Sequence, residues 1–345
     1  MNTHSSFGQN TEINAELQVE LQAPVVEAFG PEQLDARERA QSDRIAREAA
    51  ALCLKALLHR VDPQRHPVSA DPTSLEARAA ACAATLPALA VARLAPGLKA
   101  LSRRPTQLRR LLGEQGPSLA DLRPAGLDAR LELRPSLPAL RPLPAPSRLP
   151  RATPRSATQF TRCHLLLRAI HCVRETQPAG WDEIIFGGLR IGASGNVAVM
   201  RGFDAGDFRT GHYASYGELF LGQYSLRTTP GYPKSLYAIF QLVESDSNDA
   251  AVARALTDAL SSLVGLVVSF FATAAAGAAA AAAVTLIGNL VGAFIDEDAL
   301  RPYGIRLTLN SQNQFGGAVG PKQHTGNITG HGGIYRIGYR WVLGA

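Results

Sequence analysis

The sequence predicts a mainly β fold, an antiparallel β-sandwich carrying an inserted Ala/Gly-rich helical hairpin, and three observations predict it. Between residues 158 and 345, short runs rich in β-branched and aromatic residues are separated by Gly and Asn. No strand–helix alternation, phosphate-binding glycine loop or dinucleotide fingerprint interrupts them. One stretch of 37 residues, Ala259–Ile295, contains no Asp, Glu, Lys or Arg.

Ahead of this domain the chain changes character three times. Residues 1–30 are rich in Asn, Gln, Glu and Ser without a sustained period and read as a disordered tail. Residues 31–113 read as a small helical region. In it Leu34, Ile45, Ala49, Leu52, Leu54, Leu57 and Leu58 recur at three- and four-residue steps between charged residues, which makes 32–60 an amphipathic helix ending near His59. A second helix is signalled over 74–95, with Ser74 placed to cap it and Pro87 placed to kink it, and a short third piece over Thr106–Leu112. Residues 114–157 form an Arg/Pro-rich linker, with seven prolines from Pro135 to Pro154 that forbid helix and favour an extended spacer.

Within the β domain the expected strands are 162–174, 181–186, 218–226, 236–244, 304–310 and 334–343. The last alternates cleanly: Tyr335, Ile337, Tyr339 and Trp341 fall on one face and Ile334, Arg336, Gly338 and Arg340 on the other, as in a half-buried antiparallel strand. The apolar insert occupies 251–296. As one helix the uncharged run would reach ~55 Å at ~1.5 Å per residue, nearly twice a ~30 Å hydrocarbon core. A hairpin is therefore expected, turning around Ala276–Ala280 or near Asn289. Its small residues, Gly265, Ser269, Thr273 and Gly277, then Gly288 and Gly292, recur at four-residue steps that let helix backbones approach closely, as in membrane glycine zippers.

Charge and composition narrow the function classes. A mean hydropathy of −0.02 with 19% charged residues is a soluble-type composition, and the net charge of +6 is local. Residues 90–157 carry 13 basic against 4 acidic groups, whereas 158–345 carry 14 against 13. The basic stretch alternates Arg141, Arg148, Arg151 and Arg155 with prolines and lacks interleaved aromatics, so specific nucleic-acid binding is not expected. Four of the 35 basic residues are Lys, which with the abundant Ala points to a GC-rich bacterial genome. Cys53, Cys82, Cys163 and Cys172 lack zinc or redox spacing. Met1–Ala15 lacks the basic and apolar regions of a secretory signal, so the expected location is the cytoplasm or an exterior reached by a signal-less route.

Carboxylates cluster at the ends of the expected strands: Asp182 and Glu183, then Asp204 and Asp207 in FDAGDF, then Glu244, Asp246 and Asp249 in ESDSND. Calcium takes six to eight oxygens, and converging loops could supply them; Asp and Asn also favour turns without any metal. Catalytic constellations are lacking. His324 and His331 do not have metalloprotease spacing, Ser194 sits in the turn-like GASG, and His212 near Asp207 reads as a loop histidine, so an enzyme is not expected.

The segments HCVRETQPAGWDEIIFGG, FDAGDF, YPKSLYAIFQLVESDSND and GGIYRIGYRWVL, around an Ala/Gly-rich helical stretch, resemble functionally unassigned bacterial C2-like β-sandwich proteins. Those carry a D-E-(I/V)-(Y/F) element, an E-x-D element and a glycine-rich helical insert. The resemblance covers about residues 160–345 and implies a C2-like fold with a metal role for Asp182, Glu183, Asp204, Asp207, Glu244 and Asp246; position 185 is Ile. Two functions follow as expectations. One is a noncatalytic membrane-interacting effector or toxin, whose hairpin enters a bilayer and whose partner is lipid or a membrane protein, alone or as an oligomer. The other is a calcium-binding or protein/glycan-binding sandwich, with the helices as buried core.

Overall fold

A computed structural model describes residues 25–72, 74–84, scattered positions from 88 to 99, 160–177, 180–227, 231–245, 249–273, 276–294, 298–311, 315 and 323–344. The expected tail up to residue 24, the short piece over Thr106–Leu112 and the linker over 114–157 lie outside the described residues. In chain order come β1 (Val25–Phe29), a 3-10 turn (Pro31–Gln33), α1 (Ala36–Val61), α2 (Leu75–Ala84), β2 (Arg162–Arg174), β3 (Asp182–Ile191), β4 (Val197–Phe208), β5 (Tyr213–Ser225) and β6 (Lys234–Ser245). Two helices follow, α3 (Asp249–Thr273) and α4 (Ala276–Phe294), then β7 (Asp298–Ala299), β8 (Tyr303–Leu309), β9 (His324–Gly330) and β10 (Gly333–Gly344).

The strands form two antiparallel sheets, ordered β1-β8-β6-β3-β4, with β7 pairing β6, and β5-β2-β10-β9. One core lies between them, built from Cys163 and Leu165 of β2, Ile184 and Phe186 of β3, Phe240 and Leu242 of β6, and Tyr335, Tyr339 and Trp341 of β10. The opposite face of the first sheet is equally apolar: Ile185, Leu189, Ile191, Ile239 and Val243 pack against Leu256, Leu260, Leu263 and Val267 of α3. Alternate residues of β3 and β6 thus serve two cores, so these strands read as nearly continuous apolar runs.

The helical layer is seated by missing side chains and covered by the N-terminal helix. A Cβ on Gly187 would stand 2.8 Å from Leu256 Cδ2, and Gly202 faces the backbone carbonyl of Ala253, so these strand glycines let α3 lie close on β3 and β4. Thr257 Oγ1 accepts the Gly202 N–H at 2.9 Å and donates to the Ala253 carbonyl at 2.8 Å. Above, α1 packs its Ala46, Ala49, Ala50, Cys53, Leu54 and Leu57 into the same core as Ala279–Ala283, Leu286 and Ile287 of α4. Asp35 caps α1 by accepting the Glu38 N–H at 2.8 Å, and Ser74 caps α2 through the Ala77 N–H at 3.1 Å. The two helices are tied by the ion pair between Lys55 and Glu76.

Several boundaries differ from expectation. Val25–Phe29, which the sequence places in a tail, is an edge strand paired with β8 and anchored by an ion pair between Glu27 and Arg306. α3 ends at Thr273 and α4 begins at Ala276, so Ala276–Ala280 and Asn289, where a turn was expected, lie within α4. FDAGDF is strand, because its main chain pairs with β3 from Asp182↔Phe208 to Phe186↔Phe203. Among the described residues, no helix is long and apolar enough to cross a membrane.

Candidate functional site

The chain leaving β2, the β4–β5 turn and the β9–β10 turn meet at one end of the two sheets. Backbone hydrogen bonds lock them together. The Cys172 N–H donates to the His212 carbonyl at 2.9 Å, the Gly211 N–H to the Cys172 carbonyl at 2.8 Å, and the Gln177 N–H to the His331 carbonyl at 3.1 Å. Glu175 and Thr210 close the arrangement reciprocally: the Glu175 N–H donates to Thr210 Oγ1 at 3.2 Å and the Thr210 N–H to Glu175 Oε2 at 3.1 Å. Gly211 takes φ +87°, a left-handed turn position that L side chains disfavour.

Beneath these loops, Asp182 is 2% exposed. Its Oδ2 accepts the Thr176 N–H at 2.7 Å and the Tyr335 hydroxyl, and its Oδ1 accepts Thr176 Oγ1 at 2.9 Å. Burial, reinforced by the hydrogen bond to Asp182, pushes the Tyr335 phenol far above its ordinary range. Burial likewise raises the Cys172 thiol. Asp182 therefore acts as a staple holding Thr176 next to Tyr335 of β10, with its oxygens spent on protein donors.

The other carboxylates named by the sequence are dispersed over the strands. Glu183 lies opposite Asp207 on β4 and opposite Ser245 on β6. Asp204 is exposed and turns onto its own strand, where Oδ1 accepts the Gly206 N–H at 2.7 Å beside a bulge in the β3–β4 register. Glu244 is buried, level with Ile184 and Asp298, and Asp298 meets His331 Nδ1 at 3.2 Å. Asp249 is the first residue of α3, and Asp246 lies outside the described residues. Among the described residues, no three His, Cys, Asp or Glu side chains form a group that could hold a metal ion.

What this end presents to solvent is aromatic. Trp181 and Tyr213 are 57% and 58% exposed, large apolar side chains left uncovered at the mouth of the loops. The Arg209 guanidinium lies 4.9 Å from the centre of the Trp181 ring, and His212 meets Trp181 edge-on at 6.2 Å. His212 is held from behind by Phe208 at 5.3 Å, and Tyr213 tilts against His171 at 6.3 Å. Arg209, Trp181 and His212 thus make a supported ridge, with Tyr213 next in the chain and Glu175 tied to Thr210 beside Arg209. Sequence reasoning placed Trp181 inside a strand and overlooked Tyr213; the visible signal was a pair of large aromatics flanking turn residues.

Of the small residues of the apolar run, Gly277 and Gly288 face the protein itself. Gly277 looks toward Phe29 and Leu34, with 3.9 and 3.8 Å to a Cβ placed there, and a Cβ on Gly288 would stand 3.0 Å from Pro302 Cδ. Gly265 is half-buried in α3; Ser269 and Thr273 lie in the last turns of α3, and Gly292 in the last turn of α4. Comparison with protein-family models, with curated proteins and with solved structures returns no match to this chain.

Proposed function

We propose that the protein is a noncatalytic binding module, a C2-like pair of sheets whose strand-end ridge captures a glycan, with α3 and α4 serving as structural core. The observation that carries this reading is the exposure of Trp181 and Tyr213 on a rigidly tied loop cluster. Large exposed aromatics set in a polar rim supply apolar area at little entropic cost, and Trp and Tyr dominate binding energy wherever they anchor a partner. Pyranose rings offer apolar C–H faces for such rings, while Arg209 and Glu175 offer a donor and an acceptor for hydroxyls. The charged border and the cation over Trp181 support a polar, hydroxyl-rich ligand over a purely apolar one.

The reading is tested by screening the full chain on a glycan array and measuring hits by calorimetry with Trp181→Ala and Tyr213→Ala. Saturable binding weakened roughly tenfold or more by either change, with thermal unfolding unaltered, is the expected result. Absence of any glycan hit, or hits indifferent to both changes, would overturn it. A second reading keeps the uncharged run in view: α3 and α4 leave their seat and enter a bilayer, as an effector or toxin would do. The 37 residues without charge favour it, and dye leakage from liposomes is its readout.

A further inference from the structure

At the opposite end of the sheets, where β3 turns into β4, β2 begins and β5 ends, a cleft of about 470 Å³ opens between the layers. Arg162, Arg190 and Arg227 line it together with Ser194, Asn196 and Gln223, and among the described residues no carboxylate does. The volume falls within the ~300–1,000 Å³ of small-molecule sites and exceeds what one inorganic ion fills.

Arg190 is the unusual member. It shares the alternation of Ile184 and Phe186, which face the second sheet, so a cation occupies a core-facing position of a central strand. Its stem lies across Gly222 of β5, where a Cβ would come within 2.5 Å of Arg190 Cδ. Nη1 donates to the Gln223 carbonyl, and the guanidinium lies 6.0 Å from the centre of the Tyr224 ring. Nε is buried without a hydrogen-bond partner. Burial pulls the Arg190 pKa downward, the mark of a cation short of solvation.

A purely structural role, tying β3 to β5, accounts for the bond to Gln223. It does not account for the unmatched Nε, for the glycine that makes room for the stem, or for two further arginines beside it with no acidic partner among the described residues. Guanidinium groups match phosphoryl oxygens in charge and in fork geometry, and a cleft of one charge sign with low-dielectric walls focuses its field on a counter-ion. We propose that this cleft binds a phosphate monoester, its phosphoryl group among Arg162, Arg190 and Arg227 and its organic part along Ser194 and Asn196. The site is separate from the aromatic ridge and does not depend on the glycan reading.

The experiment uses the full chain with glycerol phosphate as probe and glycerol as control, read by calorimetry and by thermal unfolding. Vesicles of phosphatidylcholine with or without phosphatidic acid form the second arm. The ester should bind saturably and raise the unfolding midpoint by mass action, whereas glycerol should do neither. Arg190→Gln should weaken binding about tenfold or more. Should that variant fail to fold, Arg162→Gln and Arg227→Gln, both at exposed positions, carry the test and should each weaken binding. Free ester binding assigns a soluble ligand; retention only on phosphatidic acid vesicles, lost in the same variants, assigns a lipid headgroup. Failure of both arms, or binding that Arg162→Gln and Arg227→Gln leave unchanged, overturns the proposal.

Discussion

Tyr335→Phe keeps the ring of a fully buried side chain and removes one hydroxyl, so its effect isolates the hydrogen bond to Asp182. The carboxylate would retain Thr176 as partner on both oxygens while losing a donor inside the protein. The variant should be about 1–3 kcal/mol less stable, measured by urea unfolding; an unchanged midpoint would mean that Asp182 is adequately held by Thr176 alone. His164 gives a pH dependence of definite sign. Burial, and then the Arg162 cation, hold its imidazole below the ordinary 6.5. Below 6.5 the unfolded chain takes up a proton that the folded chain refuses, so this contribution is complete above 6.5 and lost as pH falls through the window beneath it. His66 is lowered in the same sense, by burial and then Arg65. His164→Gln should therefore flatten part of the acid slope of stability, and identical slopes in variant and parent would refute the assignment.

At the level of elements, the seat of α3 on β4 is exacting, because helix main chain meets strand main chain across Gly202. Gly202→Val would drive a side chain into the Ala253 carbonyl and displace Thr257, and should destabilise by about 1–3 kcal/mol or more. Thermal unfolding measures it, and a fold indifferent to valine there would mean that α3 is loosely seated. This contact also marks how far the sequence could be read. Strands β2 and β10, central in their sheet, were legible to within a residue at either end because alternate positions must be apolar. Strands β1, β4 and β9 were not, and all three are sheet edges, where one side pairs with solvent and the composition is free to be polar or glycine-rich. Asp204 and Asp207 were taken for loop residues for that reason. Two helices, α3 and α4, carry the described part of the uncharged run, and the surface that covers α4 was not legible, since Ala46, Ala49 and Ala50 of α1 carry no mark of their partner. Of the ridge, His212 stood out, read as a loop histidine. Trp181 lies 31 residues before His212 in the chain and is brought to it by the pairing of β3 with β4.

On the scale of the whole molecule, segments on either side of the Arg/Pro-rich stretch belong to one structure. β1 extends the first sheet at β8, α1 covers α4, and α2 is bound to α1 through Lys55 and Glu76. The apolar area of α4 is therefore shielded by a helix more than 200 residues earlier in the chain. Burying a Leu or Ile side chain contributes about 1.5–3 kcal/mol, and α1 alone brings Ile45, Leu54, Leu57 and Leu58 into that core. Cutting the chain between residues 114 and 157 should accordingly leave two pieces that remain associated. They should co-elute on gel filtration and unfold in a single thermal transition, since each supplies part of one core. Separation of the pieces without loss of the β signal would show that α1 is a detachable cover, and would revive bilayer entry by α3 and α4. Should the pieces hold together, the same cut protein should also release no dye from liposomes, because the surface available for insertion is occupied from within.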